Sequence, residues 1–187
     1  MKTLPAGGGI ISMFINYIQP TKFIVSNTKY SDEYSTPVLT AGKTFILGYT
    51  DETYGIYNAS IEKPCIIFDD FACSIHWVDF PFKVKSSALK ILVPKTTHVN
   101  FKFLYYLMKK MDYKKSEGTH ERHWISKYSQ QYINFPEKEE QDKITNVLDN
   151  FYIYTASLQE GLPAEIAARR QQYEYYSNKL LTFNEVN

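Results

Sequence analysis

The sequence predicts an α+β protein, a mixed β-rich domain followed by a long helical region of coiled-coil type. Three observations predict it. Short runs of β-branched and aromatic residues, punctuated by Gly and Pro, fill the chain from about residue 14 to residue 94. A helical pattern of apolar residues opens near Phe101. After Pro136 the composition changes, and apolar residues recur every three or four positions. The divisions implied are a flexible leader over 1–13, a β-rich domain over 14–136 and a helical region over 137–187.

The leader reading rests on Ala6-Gly7-Gly8-Gly9, which has few side chains to pack. Strand-like pieces then follow at Pro37–Thr40, Thr44–Tyr49, Cys65–Phe68, Ser74–Val78 and Leu89–Val93, with Gly42, Gly48, Gly55 and Pro64 between them. Cys65-Ile66-Ile67-Phe68 is apolar throughout, which predicts a strand buried on both faces. Asn100 has the chemistry of a helix N-cap, its amide oxygen able to accept from the first free backbone N–H groups. The helix it opens is expected from Phe101 to about Lys115, with Phe101, Leu104, Tyr105, Met108 and Met111 on one side and Gly118 ending it. The lysines near its end, Lys109, Lys110, Lys114 and Lys115, suit the helix dipole and read as a solvated face or as a grip on phosphate. A loop carrying Thr119–Trp124 leads to a short strand at Tyr132–Phe135.

Glu137, Glu139 and Glu140 sit in a first helical turn, where negative charge is favoured. Ile144, Leu148, Phe151, Tyr154 and Leu158 then form a helical stripe. Gly161-Leu162-Pro163 interrupts it, and Ile166, Tyr173, Tyr176 and Leu180 continue it. Helices are expected at Glu137–Gln159 and Pro163–Leu181. Such a tail is too small to cover its own apolar side. It needs the first domain, a second copy or another protein against it.

Bulk properties exclude more than they select. The net charge of +1 hides an asymmetry: 16 Lys and Arg face 11 Asp and Glu through Pro136, and 5 face 9 after it. A mildly basic first part is compatible with a polyanionic partner, and an acidic tail implies a different one. Aromatic residues make up 16% of the chain, with 16 Tyr, which suits contact surfaces as well as cores. Two cysteines, Cys65 and Cys73, make no disulfide framework and are expected buried and reduced. No apolar run spans a membrane, and the leader glycines break any signal-peptide core, so a cytoplasmic protein is expected.

An adenine methyltransferase needs an Asp/Asn-Pro-Pro-aromatic loop to hold the target amine, and the chain contains no Pro-Pro pair. Gly42-Lys43-Thr44 imitates the end of a phosphate-binding loop, but the first glycine of that loop falls on Pro37. The four histidines and two cysteines lack zinc-ligand spacing. Neither a metal nor a cofactor is expected. The sharpest enzymatic alternative is a metal-dependent nuclease using Asp69-Asp70 and Asp112-Tyr113-Lys114. Asp112 falls in the expected helix rather than on a strand beside Asp70, and Mg²⁺ needs carboxylates that converge. Asp69-Asp70 otherwise reads as a strand-end turn holding backbone N–H groups. His76, between Ile75 and Trp77, reads as structural, its imidazole hydrogen-bonded inside.

Taken in order, several segments resemble one known family. Thr36-Pro37-Val38-Leu39-Thr40-Ala41-Gly42-Lys43-Thr44-Phe45-Ile46-Leu47-Gly48-Tyr49-Thr50 is similar to a stretch of the target recognition domains of type I restriction–modification specificity subunits. So are Ile66–Phe71, His76–Phe80, His123–Ser126 and Glu139-Glu140-Gln141. Glu160–Ile166, Arg169 and Gln172–Tyr176 resemble the conserved helical region of that family. The resemblance covers about Asn16 to Phe183. One departure is Ile133–Lys138, where the family carries a Pro-rich entry to the helix. Another is that full-length members have two recognition domains and two helical regions, whereas one of each is found here.

The resemblance implies a subunit that binds double-stranded DNA and chooses sequence while separate subunits act on it. These are a DNA methyltransferase (modification) subunit and a restriction subunit with translocase and nuclease activity. Phosphate contacts would supply affinity and base-edge contacts choice. The DNA-binding candidates are Thr40, Lys43, Thr44, Tyr49 and Thr50 in one loop region, and His120, Arg122 and His123 in another. Arg122 has the fork to engage guanine, or else it pairs with Glu121 or Glu117. The stripe Leu148, Phe151, Tyr154, Leu158, Leu162, Ile166, Tyr173, Tyr176 and Leu180 would meet the same stripe of a second copy, giving a homodimer that reads a two-part site. A DNA-binding module of a mobile element, without a methyltransferase partner, is the other alternative.

Overall fold

The computed structural model describes residues 7–41, 44–111, 113, 121–153 and 171–172. Its strands are β1 Gly8–Ile10, β2 Ile15–Ile18, β3 Thr36–Leu39, β4 Ile46–Thr50, β5 Cys65–Asp69, β6 Ile75–Val78, β7 Lys83–Val84, β8 Leu89–Pro94 and β9 Tyr132–Asn134. Helix α1 spans Phe101–Lys110, and α2 spans 138–153. The protein is therefore mixed α+β and rich in sheet. Two compact units divide the backbone, Met1–Asp142 and Lys143–Asn187.

Three sheets build the first unit. The largest has the order β2-β8-β5-β6 with every pair antiparallel, the second is β4-β3-β7, and β1 pairs with β9. In the second sheet β3 meets β4 antiparallel and β7 parallel. Strand β5 is buried at all five positions, as its apolar run predicts. Successive side chains of a strand point to opposite faces. Ile66 and Phe68 accordingly join one core cluster with Phe14, Leu92, Leu104, Trp124 and Tyr128. Cys65 and Ile67 join a second with Leu39, Val78, Phe82, Val84 and Ile91. Each fully buried side chain of this size contributes about 1.5–3 kcal/mol relative to exposure, so one strand ties two cores together.

Helix α1 starts where its cap predicts. The Asn100 Oδ1 accepts from the backbone N–H of Lys102 at 2.9 Å and of Phe103 at 3.0 Å. The same residue holds the start of α2: its Nδ2 donates to Asp142 at 2.7 Å and its backbone N–H to Gln141 Oε1 at 2.9 Å. Gln141 Nε2 in turn donates to the Pro136 carbonyl at 2.8 Å. Phe103, Leu104 and Met108 face the core, while Phe101 and Tyr105 lie against Trp77.

Several expectations are corrected. Residues 8–13 are no flexible leader: β1 pairs with β9, and Ile11 is fully buried in the first core. The glycines serve this packing. Gly7 adopts a φ of +97°, and a Cβ on Gly8 would stand 2.5 Å from the Ile133 carbonyl oxygen. Strands β2 and β7 were not anticipated. Helix α1 ends at Lys110 rather than near Lys115, because Met111 turns to an extended backbone (φ −61°, ψ 124°). Cys65 is buried, but Cys73 is only part-buried, at a positive φ of 58°. The imidazole of His76 stacks flat on Phe45, with ring centroids 3.9 Å apart and planes 9° apart.

In the helical region the described residues show α2 to residue 153 and a helical pair at 171–172. Val147, Leu148, Phe151, Tyr152 and Ile153 are exposed on it. Tyr154, Leu158, Leu162, Ile166, Tyr173, Tyr176 and Leu180 lie outside the described residues, as do most of the helix expected at Pro163–Leu181 and the residues 154–159 of the one before it. Among the described residues no helix is long and apolar enough to cross a membrane.

Candidate nucleic-acid interface

The first set of candidate residues belongs to the β3–β4 hairpin. Thr40 closes its turn, its backbone N–H donating to the Phe45 carbonyl at 3.0 Å. Thr40 is part-buried and Thr44 is exposed. Tyr49 lines an open groove of about 490 Å³ with Ser35, Thr36, Pro37, Ile46, Phe80 and Pro81. Lys43, with Gly42, lies outside the described residues. Thr50 is a correction: it is 1% exposed, and its Oγ1 accepts from the Glu52 backbone N–H at 3.3 Å. A side chain sealed in this way presents no atom to a base.

Beneath this hairpin sits an ion pair that the sequence reading missed. Lys83 Nζ lies 2.7 Å from Glu52 Oε2 and donates to the Tyr54 carbonyl at 2.7 Å. Both side chains are buried. Glu52 Oε1 accepts from the backbone N–H groups of Ser26 at 2.8 Å and Asn27 at 3.1 Å. Burial opposes the charged form of Glu52, but the bond from Lys83, these two N–H groups and the Lys83 charge outweigh it. Its carboxyl is held below the ordinary carboxylate range. The pair pins the segment 26–27 and the chain after β4 to β7. A lysine inside the apolar run Phe82-Lys83-Val84 was the available signal.

The second set surrounds Asp70, at the end of β5. Asp70 is 1% exposed, and its Oδ1 accepts from the Trp124 backbone N–H at 2.8 Å. Its own backbone carbonyl accepts from the His123 N–H at 2.9 Å. The loop 121–124 is thus fastened to a strand end by two bonds. Trp124 is driven into the core, its ring 5.1 Å from that of Phe68. Arg122, one residue before the first anchor, stays at the surface, with its side chain 50% exposed. It pairs with Asp70 at 3.4 Å, not with Glu121, and also donates to the Ser87 carbonyl at 3.1 Å. Glu121 pairs instead with Lys127 at 2.6 Å. Glu117 and His120 lie outside the described residues.

His123 is the second correction. It is 1% exposed, and its Nδ1 lies 3.0 Å from the Tyr113 hydroxyl. Alternation around the anchored loop puts Arg122 out and His123 in. Asp69, the other half of the acidic pair, accepts from the N–H groups of Phe71 at 2.8 Å and Ala72 at 3.0 Å, the strand-end turn expected of it. Asp112 lies outside the described residues. Among the described residues, no group of three His, Cys, Asp or Glu side chains is placed to hold a metal ion.

Two cores joined through the buried strand β5, with loops fastened at strand ends, form a scaffold for presenting side chains. A family model described as type I restriction modification DNA specificity domain matches residues 14–168. The chain is 46% identical over 177 residues to a type I restriction enzyme specificity subunit of Escherichia coli, covering 90% of this chain and 43% of that protein. It is 28% identical over 109 residues to the C-terminus of a type I specificity subunit of Mycoplasma pneumoniae, 58% of this chain and 74% of that one. The fold is similar to the crystal structure of a type I restriction–modification S subunit from M. genitalium, with a TM-score of 0.60 at 19% identity, over 95% of this chain and 46% of that chain. A second solved structure, from work on assembly and conformational transition of the type I system, matches with a TM-score of 0.57 at 17% identity, over 92% and 45% of the two chains. The chain belongs to the type I restriction modification DNA specificity domain family. It spans less than half the length of the Escherichia coli relative.

Proposed function

We propose that this chain is a DNA sequence-recognition module of a type I restriction–modification complex, reading one part of a bipartite duplex site. The family match over residues 14–168 is the observation that carries this reading. The module itself is no enzyme in this proposal. Separate methyltransferase and restriction subunits carry out methylation, translocation and cleavage, and the complex works in the cytoplasm. Residues 8–136 form the target recognition domain, with β1 paired to β9 inside it, and 137–187 form a long helical spacer. Thr40, Lys43, Thr44, Tyr49, His120 and Arg122 are its proposed DNA contacts. The half-exposed guanidinium of Arg122 and the exposed Thr44 support this assignment.

The helical spacer is proposed to pair with that of a second copy, so that two recognition domains face an inverted pair of half-sites. The exposed Leu148 and Phe151 support an apolar seam, continued by Tyr154, Leu158, Leu162, Ile166, Tyr173, Tyr176 and Leu180. Fluorescence anisotropy with duplex DNA over a range of salt tests the binding. Affinity is expected to fall steeply as salt rises, with a log–log slope set by the number of phosphates contacted. Salt-independent affinity overturns it. Light scattering at micromolar concentration tests the pairing, and a monomer that stays monomeric on DNA removes that part.

A further inference from the structure

We infer that buried Asp70 is a positioning residue, which holds the Arg122 guanidinium outward in one orientation while Lys90 cancels its charge. The inference rests on the DNA-recognition reading and assigns the source of choice at one base pair. Asp70 Oδ2 faces two cations, Lys90 Nζ at 3.1 Å and Arg122 Nη1 at 3.4 Å. Lys90 is 2% exposed and also donates to Gln19 Oε1 at 2.8 Å. Its charge and that of Asp70 therefore cancel inside the protein. The formal charge of Arg122 is left over, on a side chain that is half in solvent.

The guanidinium is caged on several sides. Nη1 donates to the Ser87 carbonyl at 3.1 Å as well as meeting Asp70, and Nη2 lies 3.5 Å from Ser87 Oγ. The Phe71 ring supports it, with its centroid 5.5 Å from Cζ. An arginine fork has five donors in one plane, so fixing Nη1 orients the rest of the plane. Most surface arginines must lose rotamer freedom when they bind. One that is already ordered avoids a cost of about two- to ten-fold in affinity, and its directed fork rejects a wrong base. A lysine on the same loop would carry the charge without the direction. Asp70 also holds the loop through Trp124, but by its other oxygen, so the two roles separate chemically.

The test uses the purified full chain and duplexes with a randomised segment, selected for binding and sequenced. Wild type is expected to select a motif. Arg122→Lys is expected to flatten preference at one base pair by about ten-fold, with the salt dependence of binding unchanged. Asp70→Asn keeps an acceptor for the Trp124 N–H but turns an amide toward Arg122. It is expected to flatten the same base pair by about two- to ten-fold. Phe71→Ala removes one wall of the cage at an exposed position. It is expected to flatten that base pair less, and it decides the matter if Asp70→Asn does not fold. Folded Asp70→Asn and Phe71→Ala proteins that keep the wild-type motif overturn the inference while leaving the DNA reading intact. So does an Asp70→Asn protein that weakens every sequence equally, which is the signature of a merely structural role, and so does an Arg122→Lys protein with an unchanged motif. A wild-type chain that selects no motif overturns the DNA reading itself.

Discussion

Removing one partner of the Glu52–Lys83 pair separates a structural role from a decorative one. In Lys83→Met the ammonium is lost, but Glu52 stays buried, with Oε1 still held by Ser26 and Asn27. Breaking a buried ion pair from one side typically costs about 3–5 kcal/mol, because an uncompensated charge is left behind. This pair lies under the exposed ring of Tyr54 rather than in mid-core. The low end, about 3 kcal/mol, is therefore expected. Urea unfolding followed by the fluorescence of Trp77 and Trp124 measures it, provided the slope of the transition is unchanged. Glu52→Gln in the Lys83→Met background is expected to recover a good part of the loss, since the glutamine oxygen still accepts from Ser26 and Asn27. A Lys83→Met loss below about 1 kcal/mol refutes the reasoning, as it would mean that water already reaches the pair. The acid limb gives an independent check. The Glu52 carboxyl is held below its ordinary value of 4.5 in the folded chain. Its contribution is then fully present above that value and lost as pH falls through the folded value. Glu52→Gln lacks this contribution, so its stability is expected to change less from about pH 5 to about pH 3. Equal slopes for the two proteins would refute the assignment.

Three further outcomes are expected. Gly8→Ala forces a Cβ to 2.5 Å from the Ile133 oxygen, and should destabilise the protein by about 1–3 kcal/mol with faster amide exchange in β1 and β9. Asn100→Ala removes the α1 cap and the tie to Asp142, and should cost about 1–2 kcal/mol in urea unfolding. Burial, with help from the nearby Asp79 charge, pushes the Cys65 thiol up to about 12. Its alkylation at pH 8, read by mass spectrometry, is expected only when urea unfolds the chain.

The legible features were those written in local pattern. The run Cys65–Phe68 announced a strand with two buried faces, because no polar residue interrupts it. Asn100 announced a helix start, because a cap needs only its own side chain and the next three residues. The leader was misread for the opposite reason. Gly7, Gly8 and Gly9 look flexible by composition, but the missing Cβ of Gly8 is what lets β1 lie against β9, more than 120 residues away. Tyrosine content and net charge pointed nowhere in particular.

Local sequence thus determined the α+β class, the main strands, the helix boundaries that depend on caps, and membership in a DNA specificity family. It also offered Arg122 as a candidate DNA contact, by the chemistry of its fork. Only the tertiary structure decided which neighbours of Arg122 face outward. Asp70 draws in the backbone of His123 and Trp124, so that His123 is sealed while Arg122 is held at the surface. The same distinction applies to Lys83 and Lys90. Both are lysines inside apolar runs, and their carboxylate partners lie 31 and 20 positions away. A charge is stable in a core only when an opposite charge comes to meet it. That meeting depends on which strands pair, which no local pattern records.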